Sequence, residues 1–490
     1  MPRQTRRQFV KQSLAVAGAT VALSGTKATR RVLGANERIN HAVAGINGRG
    51  GAHIGEFTQM KDVQVACLID PDARLFSSKV KTVEQKAGNT PKAVKDYREA
   101  LDDKGIDTLS IATCNHWHAP MTIFACQAGK DVYVEKPMSH NIHEGRIAVE
   151  TARKYNRIVQ HGTQSRGSSG WQKVQEYARH GGLGKLLVSR GLCYKRRGSI
   201  GFKEPTDPPA GLDFDIWLGP APKQPYHANL VHYNWHWFWD FGNGDIGNQG
   251  VHQMDIARWQ CPDATWPKKV FSIGGRFGYQ DQGQTPNTQM VIYDYGPDKP
   301  MIVFEVRGLA KDVRYMSAGV GNMAHFQEGT IVGAGQYFPR NEKNPAPVPK
   351  VDAKLPGSGS VFSNFIDCVR SRKREELLAD VLVAHYSAGL CHLGNISYRL
   401  GQSMPYDKTR KSLGDNKEAV DTFERMAEHL KANELKLNEM DYTVGPVLSF
   451  DADTEQFTGE HAAEANKLLT RDYRKPFQIP TKAELAAAGA

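Results

Sequence analysis

Short apolar runs alternate with amphipathic stretches between residues 38 and 160, which is the pattern of a parallel sheet wound with helices. The predicted strands are residues 39–44, 63–70, 108–112, 131–135 and 157–160. The predicted helices between them are residues 51–60, 72–87, 119–128 and 143–155. Because such sheets bind ligands beyond the carboxyl ends of their strands, the loops that leave those ends should carry the chemistry.

The pattern changes after residue 160. A helix at 171–180 is followed by longer runs that suit antiparallel strands, at residues 185–194, 269–275, 289–295 and 301–307. Helical periodicity returns at residues 361–372, 377–401 and 417–432. The fold class expected is α/β, a Rossmann domain joined to a C-terminal α+β domain. The predicted division is a leader at 1–35, the first domain at 36–160, the second at 161–405 and an extension at 406–490.

The N-terminus carries an arginine pair, Arg6 and Arg7, before a mildly apolar stretch at residues 13–25. This pattern is typical of a twin-arginine export signal. The stretch is shorter than the ~20 apolar residues that span a bilayer. We therefore expect the export machinery as a partner and a periplasmic or otherwise exported protein. A small-residue site at 26–28 leaves cleavage open, and an uncleaved signal would tether the protein to the membrane.

Charge and cysteine content narrow the class of protein. The leader holds seven cations and no acid, so only +4 of the formal +11 belongs to the remaining residues. That balance gives no reason to expect nucleic acid as a partner. The seven cysteines are scattered without a CxxC pair, which favours buried thiols over a disulfide framework.

A Gly-rich turn follows the first predicted strand directly. Its spacing fits the GxGxxG fingerprint of dinucleotide-binding proteins, with Asn47 at the second glycine position. Asn tolerates positive φ, so the turn can still form. The second strand ends twenty residues after Gly50 in Asp70, where a carboxylate would pair with a ribose diol and favour NAD over NADP. The cofactor-binding residues expected here are Gly45, Asn47, Gly48, Arg49, Gly50 and Asp70.

Two further motifs follow strand ends: residues 113–118, which read TCNHWH, and residues 135–137, which read EKP. A third segment, 240–259, reads DFGNGDIGNQGVHQMDIARW. With the Gly turn, these motifs resemble the Gfo/Idh/MocA family of glucose-fructose oxidoreductase, inositol dehydrogenase and relatives. The resemblance covers about residues 38–400. It implies a Rossmann domain and an open-sheet domain, a nicotinamide dinucleotide between them, hydride transfer at a carbinol of a sugar or cyclitol, and a homo-oligomer.

The resemblance assigns roles to individual residues. Lys136 matches the lysine of the EKP motif and His252 matches the catalytic histidine. A histidine can take the hydroxyl proton, and a lysine beside the nicotinamide can stabilise developing alkoxide charge. Further cofactor contacts are expected from Asn115, His116, His118 and Glu135, although His116 and His118 could equally cap the following helix.

Asn248 is a departure, because the family has an acid four residues before the histidine. Asn248 can orient substrate hydroxyls but cannot carry a proton. Either His252 and Lys136 do all acid and base work, or Asp245 or Asp255 substitutes. Asp255 would share a helix face with His252 and could hydrogen-bond its imidazole.

An aromatic run at 232–239, HYNWHWFW, could be a platform for sugar C–H faces or a core cluster. No histidine spacing is specific for a metal, and none is expected. The primary hypothesis is an exported oxidoreductase that retains its cofactor, since no soluble NAD pool is expected outside the cytoplasmic membrane. The alternative is a redox-neutral glycoside hydrolase that oxidises, eliminates and returns the hydride. A glycan-binding protein without catalysis, which Asn248 would permit, is the third hypothesis.

Overall fold

The computed structural model describes residues 38–487 except 181, 262, 312–313, 317, 349–354, 356 and 358. The predicted leader at 1–35 lies outside the described residues. The chain forms two domains, each built on one sheet, and we call the boundary between them the seam. Across the described part, no helix combines the length and the apolar character needed to traverse a bilayer.

The first sheet has six parallel strands in the order β3-β2-β1-β4-β5-β6, as in dinucleotide-binding Rossmann folds. Its strands are β1 Ile39–Ala44, β2 Val63–Ile69, β3 Lys92–Val94, β4 Thr108–Ile111, β5 Asp131–Val134 and β6 Val159–His161. Its helices are α1 Gly48–Thr58, α2 Phe76–Ala87, α3 Tyr97–Asp102, α4 Asn115–Gln127 and α5 Ile142–Lys154. Strands β4 and β5 are buried throughout, because helices cover both faces of the sheet. The short β3 and α3, absent from the sequence prediction, are too brief to show a periodicity.

The second sheet has eleven strands, antiparallel except where β10 pairs with β7 in parallel. The expected fold class is therefore confirmed. Its strands are β7 Leu186–Cys193, β8 Lys269–Gly275, β9 Thr288–Asp294, β10 Met301–Arg307, β11 Val320–Phe326, β12 Gly329–Val332, β13 Gln336–Pro339, β14 Gln402–Pro405, β15 Asp441–Val444, β16 Leu448–Asp451 and β17 Gln456–Thr458. The remaining helices are α6 Ser169–His180, α7 Phe214–Leu218, α8 Gly244–Asn248, α9 Gly250–Gln260, α10 Val361–Ser371, α11 Val381–Arg399, α12 Tyr406–Ser412, α13 Lys417–Ala432, α14 Ala462–Lys467 and α15 Lys482–Ala487.

Both faces of the second sheet are packed by this chain. Phe304 of β10 belongs to the core on the side of α9 and α11, whereas its neighbour Val303 packs against α13 through Phe423 and Met426. Successive strand residues point to opposite faces, so one strand serves both cores. Helix α13 thus covers part of one face of the second sheet.

Late parts of the chain return to the first domain. Phe362 of α10 stacks on Tyr133 of β5 with ring centroids 4.5 Å apart, and Phe477 and Leu485 join the core around α4. The two domains are therefore not two continuous stretches of sequence. All seven cysteines lie in the described part as free thiols, as the sequence predicts, and six of them are buried.

Candidate active site

A cleft of about 550 Å³ lies where the carboxyl ends of β1, β2, β4 and β5 face the second domain. It sits between β1 and β4, the point at which the strand order reverses and where open α/β sheets bind their ligands. The second-domain wall comes from residues 195, 216–217, 232–233, 235 and 248–249.

The Gly-rich turn forms one end of the cleft. Gly45 has φ +76°, and a Cβ there would lie 2.7 Å from the backbone of Ala112. Gly48 has φ +35° at the start of α1, and a Cβ there would meet open space. Gly50 does not line the cleft; a Cβ on it would fall 1.7 Å from the Gly45 carbonyl oxygen. Gly50 therefore serves close packing of helix on turn. Asn47 has φ −79°, so the positive φ allowed for at this position is not needed.

Asp70 lies at the end of β2 and lines the cleft. The backbone N–H of Ile46 donates to its Oδ2 (2.9 Å) and that of Asp72 donates to its Oδ1 (3.0 Å). Burial raises the pKa of Asp70 to about 6, so the carboxylate is largely ionised at neutral pH. The guanidinium of Arg74, a group that would suit the 2′-phosphate of NADP, donates to the Asp72 carboxylate.

Glu135 clamps the turn to the end of β5. Arg49 Nε donates to its Oε1 (2.7 Å), and His53 Nε2 lies 3.1 Å from the same oxygen. Burial alone would raise the pKa of Glu135, but His53 and Arg49 hold it well below its usual range. Glu135 and Arg49, both predicted to bind cofactor, line the cleft. The Glu135 carboxylate and the Arg49 guanidinium are, however, hydrogen-bonded to each other. Their contacts are those of positioning residues.

Of the three predicted cofactor-binding residues that follow β4, two line the cleft and one does not. Asn115 lines the cleft, and its buried Oδ1 has no partner among the described residues. His118 also lines the cleft, but its ring nitrogens lie 2.7 Å from the Pro137 carbonyl and 3.0 Å from that of Thr113. His116 lies outside the cleft lining, with its Nε2 3.1 Å from the carbonyl of Trp217. The expectation that His116 touches the cofactor is not supported, because its ring packs between the two domains.

The side chain of Lys136 reaches across the seam, from the first domain to the second. Its Nζ donates to the backbone carbonyl of Asn248 at the end of α8 (2.8 Å), and burial lowers its pKa. Asn248 also lines the cleft. The structure therefore brings Lys136 and Asn248 together at one cleft, and their direct contact runs through a main-chain oxygen that no side-chain pattern could indicate.

His252 follows on α9. Burial and then the charge of Lys136 lower the pKa of His252 to about 3, so its imidazole is neutral at physiological pH. Asp255 does not orient it as expected. Arg166 donates twice to the Asp255 carboxylate (2.8 and 2.9 Å) and Ser387 Oγ donates once (2.7 Å). Burial would raise the pKa of Asp255, but Arg166 lowers it, so Asp255 is a structural anion and not a proton carrier.

Asp245 is likewise paired with an arginine. Arg197 donates to its two carboxylate oxygens (2.6 and 2.8 Å). Neither acid that could replace the family's acid at position 248 is therefore free for proton transfer.

Sequence reasoning missed several residues of the second-domain wall. Lys195 lines the cleft and its Nζ donates to Gln249 Oε1 (3.0 Å). From the aromatic run, Tyr233 and Trp235 line the cleft while Trp237 is buried beneath Arg276. The run therefore serves mainly as core and only in part as a binding wall. The one available signal was the position of Lys195 directly after a predicted strand.

These residues fit a dinucleotide. The Gly48 position leaves space against the start of a helix, where backbone N–H groups and the helix dipole favour phosphate. Asp70 offers a carboxylate at the ribose position, and Asn115 an unpaired amide oxygen. Among the described residues, no group of three or more His, Cys, Asp or Glu side chains could hold a metal.

A Rossmann sheet, a Gly-rich turn at its first strand and a lysine that contacts a second α/β domain are the features of a two-domain NAD-binding oxidoreductase. Residues 39–163 match the model of the oxidoreductase family's NAD-binding Rossmann fold. Residues 194–432 match that of its C-terminal alpha/beta domain. The chain belongs to the Gfo/Idh/MocA family of oxidoreductases.

Curated relatives match part of the chain. A levoglucosan dehydrogenase of Pseudarthrobacter phenanthrenivorans is 29% identical over 192 residues, which is 37% of this chain and 42% of the relative. Glycosyl hydrolase family 109 protein 2 of Shewanella sp. strain ANA-3 is 27% identical over 167 residues, 30% and 36% of the two chains. The matches thus span less than half the length of these relatives.

Solved structures confirm the fold over a longer span. The WlbA dehydrogenase from Bordetella pertussis, in complex with NADH and UDP-GlcNAcA, has a TM-score of 0.54 at 17% identity, covering 72% of this chain and 93% of that one. A levoglucosan dehydrogenase in complex with NADH and L-sorbose has a TM-score of 0.52 at 15% identity, covering 73% and 95%.

The turn can be tested with three glycine-to-alanine substitutions. Gly48→Ala should weaken NAD binding about tenfold or more, since its methyl group enters the phosphate cradle. Gly45→Ala should also lower stability, because its methyl group collides with the backbone of Ala112. Titration with NAD and thermal unfolding measure the two effects.

Gly88→Ala is the matched control, because Gly88 also has positive φ and open space but lies at the end of α2, outside the cleft lining. Gly88→Ala should also place an alanine at positive φ, but its NAD affinity should be unchanged. Equal NAD affinity of Gly48→Ala and Gly88→Ala would contradict this assignment.

Proposed function

We propose that this protein is an exported sugar dehydrogenase that retains its NAD and oxidises or reduces a carbinol of a sugar, cyclitol or glycoside. The observation that carries the proposal is Lys136, a half-buried ammonium at the cleft, held 2.8 Å from the Asn248 carbonyl. Two relatives support the substrate class by name, since levoglucosan is an anhydrosugar and L-sorbose a ketohexose.

Lys136 would stabilise charge on the reacting oxygen. An ammonium has three N–H donors, and the Asn248 carbonyl takes one of them. The remaining donors can bind the substrate oxygen as it acquires alkoxide character. Because the group is desolvated, this interaction acts at low local dielectric, where it is stronger than in water.

His252 lies outside the cleft lining but near enough for the charge of Lys136 to lower its pKa, and it would receive the hydroxyl proton. Its neutral imidazole has a free lone pair at physiological pH, and its low pKa reflects burial and the Lys136 charge. Alkoxide formation next to Lys136 would offset that charge and raise the basicity of the imidazole as the proton moves. NAD, when bound, supplies the acceptor for the hydride that leaves the same carbon.

Tyr233 and Trp235 would contact the sugar. Both line the cleft, and the Tyr233 side chain is exposed. Aromatic faces pack on the C–H faces of sugars. Lys195 and the Asn248 side chain supply polar groups for hydroxyls on the same wall.

Lys136→Met tests the catalytic assignment. Turnover on a panel of levoglucosan, myo-inositol, glucose and aryl glucosides should fall about 100-fold or more. NAD affinity should stay close to that of the unmodified protein. The absorbance of reduced nicotinamide measures the first and a binding titration the second.

The matched control is Lys223→Met, which removes an exposed lysine outside the cleft lining. It should leave both quantities unchanged. Undiminished turnover in Lys136→Met would overturn the assignment. A chain that binds these sugars but converts none of them would be the non-catalytic glycan-binding protein considered above.

A redox-neutral glycoside hydrolase is the second candidate, and the family 109 glycosyl hydrolases among the relatives favour it. Transient oxidation of a ring hydroxyl acidifies the adjacent C–H. Loss of that proton expels the aglycone, water adds to the resulting enone, and the hydride returns to the oxidised carbon. Hydride out and hydride back leave the nicotinamide unchanged, and the net reaction is hydrolysis.

Aryl glycosides in D₂O distinguish the two candidates. The hydrolase should release the phenol without added NAD and without net change in nicotinamide absorbance, and its sugar product should carry deuterium next to the oxidised carbon. A dehydrogenase should leave the glycosidic bond intact and accumulate reduced nicotinamide. Mass spectrometry of the sugar product measures the deuterium.

Export and cofactor retention form one linked proposal, supported by Arg6-Arg7 ahead of a short apolar stretch. In a bacterial host, the unmodified protein should reach the periplasm with NAD that stays bound through purification and is detected after denaturation. The Arg6→Lys/Arg7→Lys variant should stay in the cytoplasm with the same NAD content. Exported protein without nucleotide would contradict retention, and equal export of both forms would contradict the signal.

A further inference from the structure

A second crevice, of about 130 Å³, shares no lining residue with the cleft. Four parts of the chain meet there: the loop after Lys136, the Gly-rich segment after the aromatic run, helix α11 and the tail after α14. The residues that matter chemically are His140, Asp240, Asn243, His392, Arg399 and Arg471.

Polar atoms in this crevice lack partners. Asn243 is 5% exposed and His392 is 3% exposed, yet Asn243 Nδ2 and His392 Nδ1 have no hydrogen-bond partner in the described part of the chain. The same is true of His140 Nε2. Buried polar groups normally have partners, so three unpaired nitrogens along one crevice indicate that something polar completes them.

The unpaired atoms are mainly donors. Arg471 Nη1 donates to His140 Nδ1 (3.3 Å), and burial keeps the pKa of His140 well below its usual range, so the neutral ring carries its proton on Nε2. The Asn243 amide nitrogen is a donor by nature. The Arg399 guanidinium stacks over Trp239 at 5.1 Å and has no hydrogen-bond partner within the described ranges.

The charged side chains of the crevice lining also favour an anion, because positive groups outnumber negative ones. Arg399 and Arg471 face one carboxylate, that of Asp240, whose Oδ2 already accepts from Gln224 (3.2 Å). His392 is neutral, since burial lowers its pKa to about 3. Glu144 lies behind the lining near Arg471, and burial raises its pKa to about 7, so it is largely neutral at pH 6.

We propose that this crevice is a binding site for a small oxyanion, a phosphate or carboxylate group, held by Arg399 and the unpaired N–H groups of Asn243 and His140. The site lies between the two segments that hold Lys136. His140 lies four residues after Lys136. Asn243 lies five residues before Asn248, whose carbonyl accepts a hydrogen bond from the Lys136 ammonium. An occupant would bridge both segments without entering the cleft.

Calorimetric titration of the full protein with inorganic phosphate tests the proposal, at pH 6 and with saturating NAD to fill the pyrophosphate turn. Binding at millimolar phosphate should weaken at least tenfold in Arg399→Gln. Arg410→Gln is the matched control, since Arg410 is a partly exposed arginine paired with Glu424 on the outer helices, and its phosphate affinity should be unchanged.

A parallel titration compares glucuronate with glucose to identify the source of the anion. Arg399-dependent binding of phosphate alone indicates a free or phosphoryl anion. Arg399-dependent binding of glucuronate but not glucose indicates the carboxylate of a sugar acid. No binding of either anion, or equal binding to Arg399→Gln and the control, would overturn the proposal.

Discussion

The buried ion pair between Arg166 and Asp255 fixes the geometry on which the site depends. Arg166 follows the last strand of the Rossmann sheet, and Asp255 lies on α9, one turn after His252. Both side chains are nearly inaccessible, and Arg166 also lies over Trp259, 4.7 Å from its centroid. Desolvating two charges is costly and is offset only by good geometry, which the two short contacts and Ser387 provide. The helix that carries His252 therefore has one favourable position against the first domain.

A second clamp acts on the other side of the cleft. Glu135 joins the end of β5 to Arg49 and His53 of α1, so the Gly-rich turn is tied to the backbone next to Lys136. Gly162 makes room for this, because a Cβ there would lie about 3 Å from the Glu135 carboxylate. The two ion pairs together set the distance between the turn, Lys136 and His252.

Local signals in the sequence predicted the fold and many of the residues that line the cleft. Strand β1, the turn after it and the acid twenty residues later follow one another along the chain, so spacing alone reveals them. Long-range contacts decided the rest. His252 and Asp255 do share a helical face, but Arg166, 89 residues earlier, takes the carboxylate. His116 and His118 are two residues apart on α4 and therefore face different surroundings, so only one of them reaches the cleft.

In the proposed reaction, the arrangement of arginines would allow Lys136 to act without a free acid beside it. Three carboxylates near Lys136 and His252 are each paired with an arginine: Glu135 with Arg49, Asp245 with Arg197 and Asp255 with Arg166. Lys136 instead donates to a neutral carbonyl. A carboxylate partner would cancel its charge before substrate arrived, whereas a carbonyl orients the ammonium and leaves the charge for the substrate oxygen. Asn248 in place of an acid is consistent with this division, since its main chain holds the lysine and its side chain adds no competing charge.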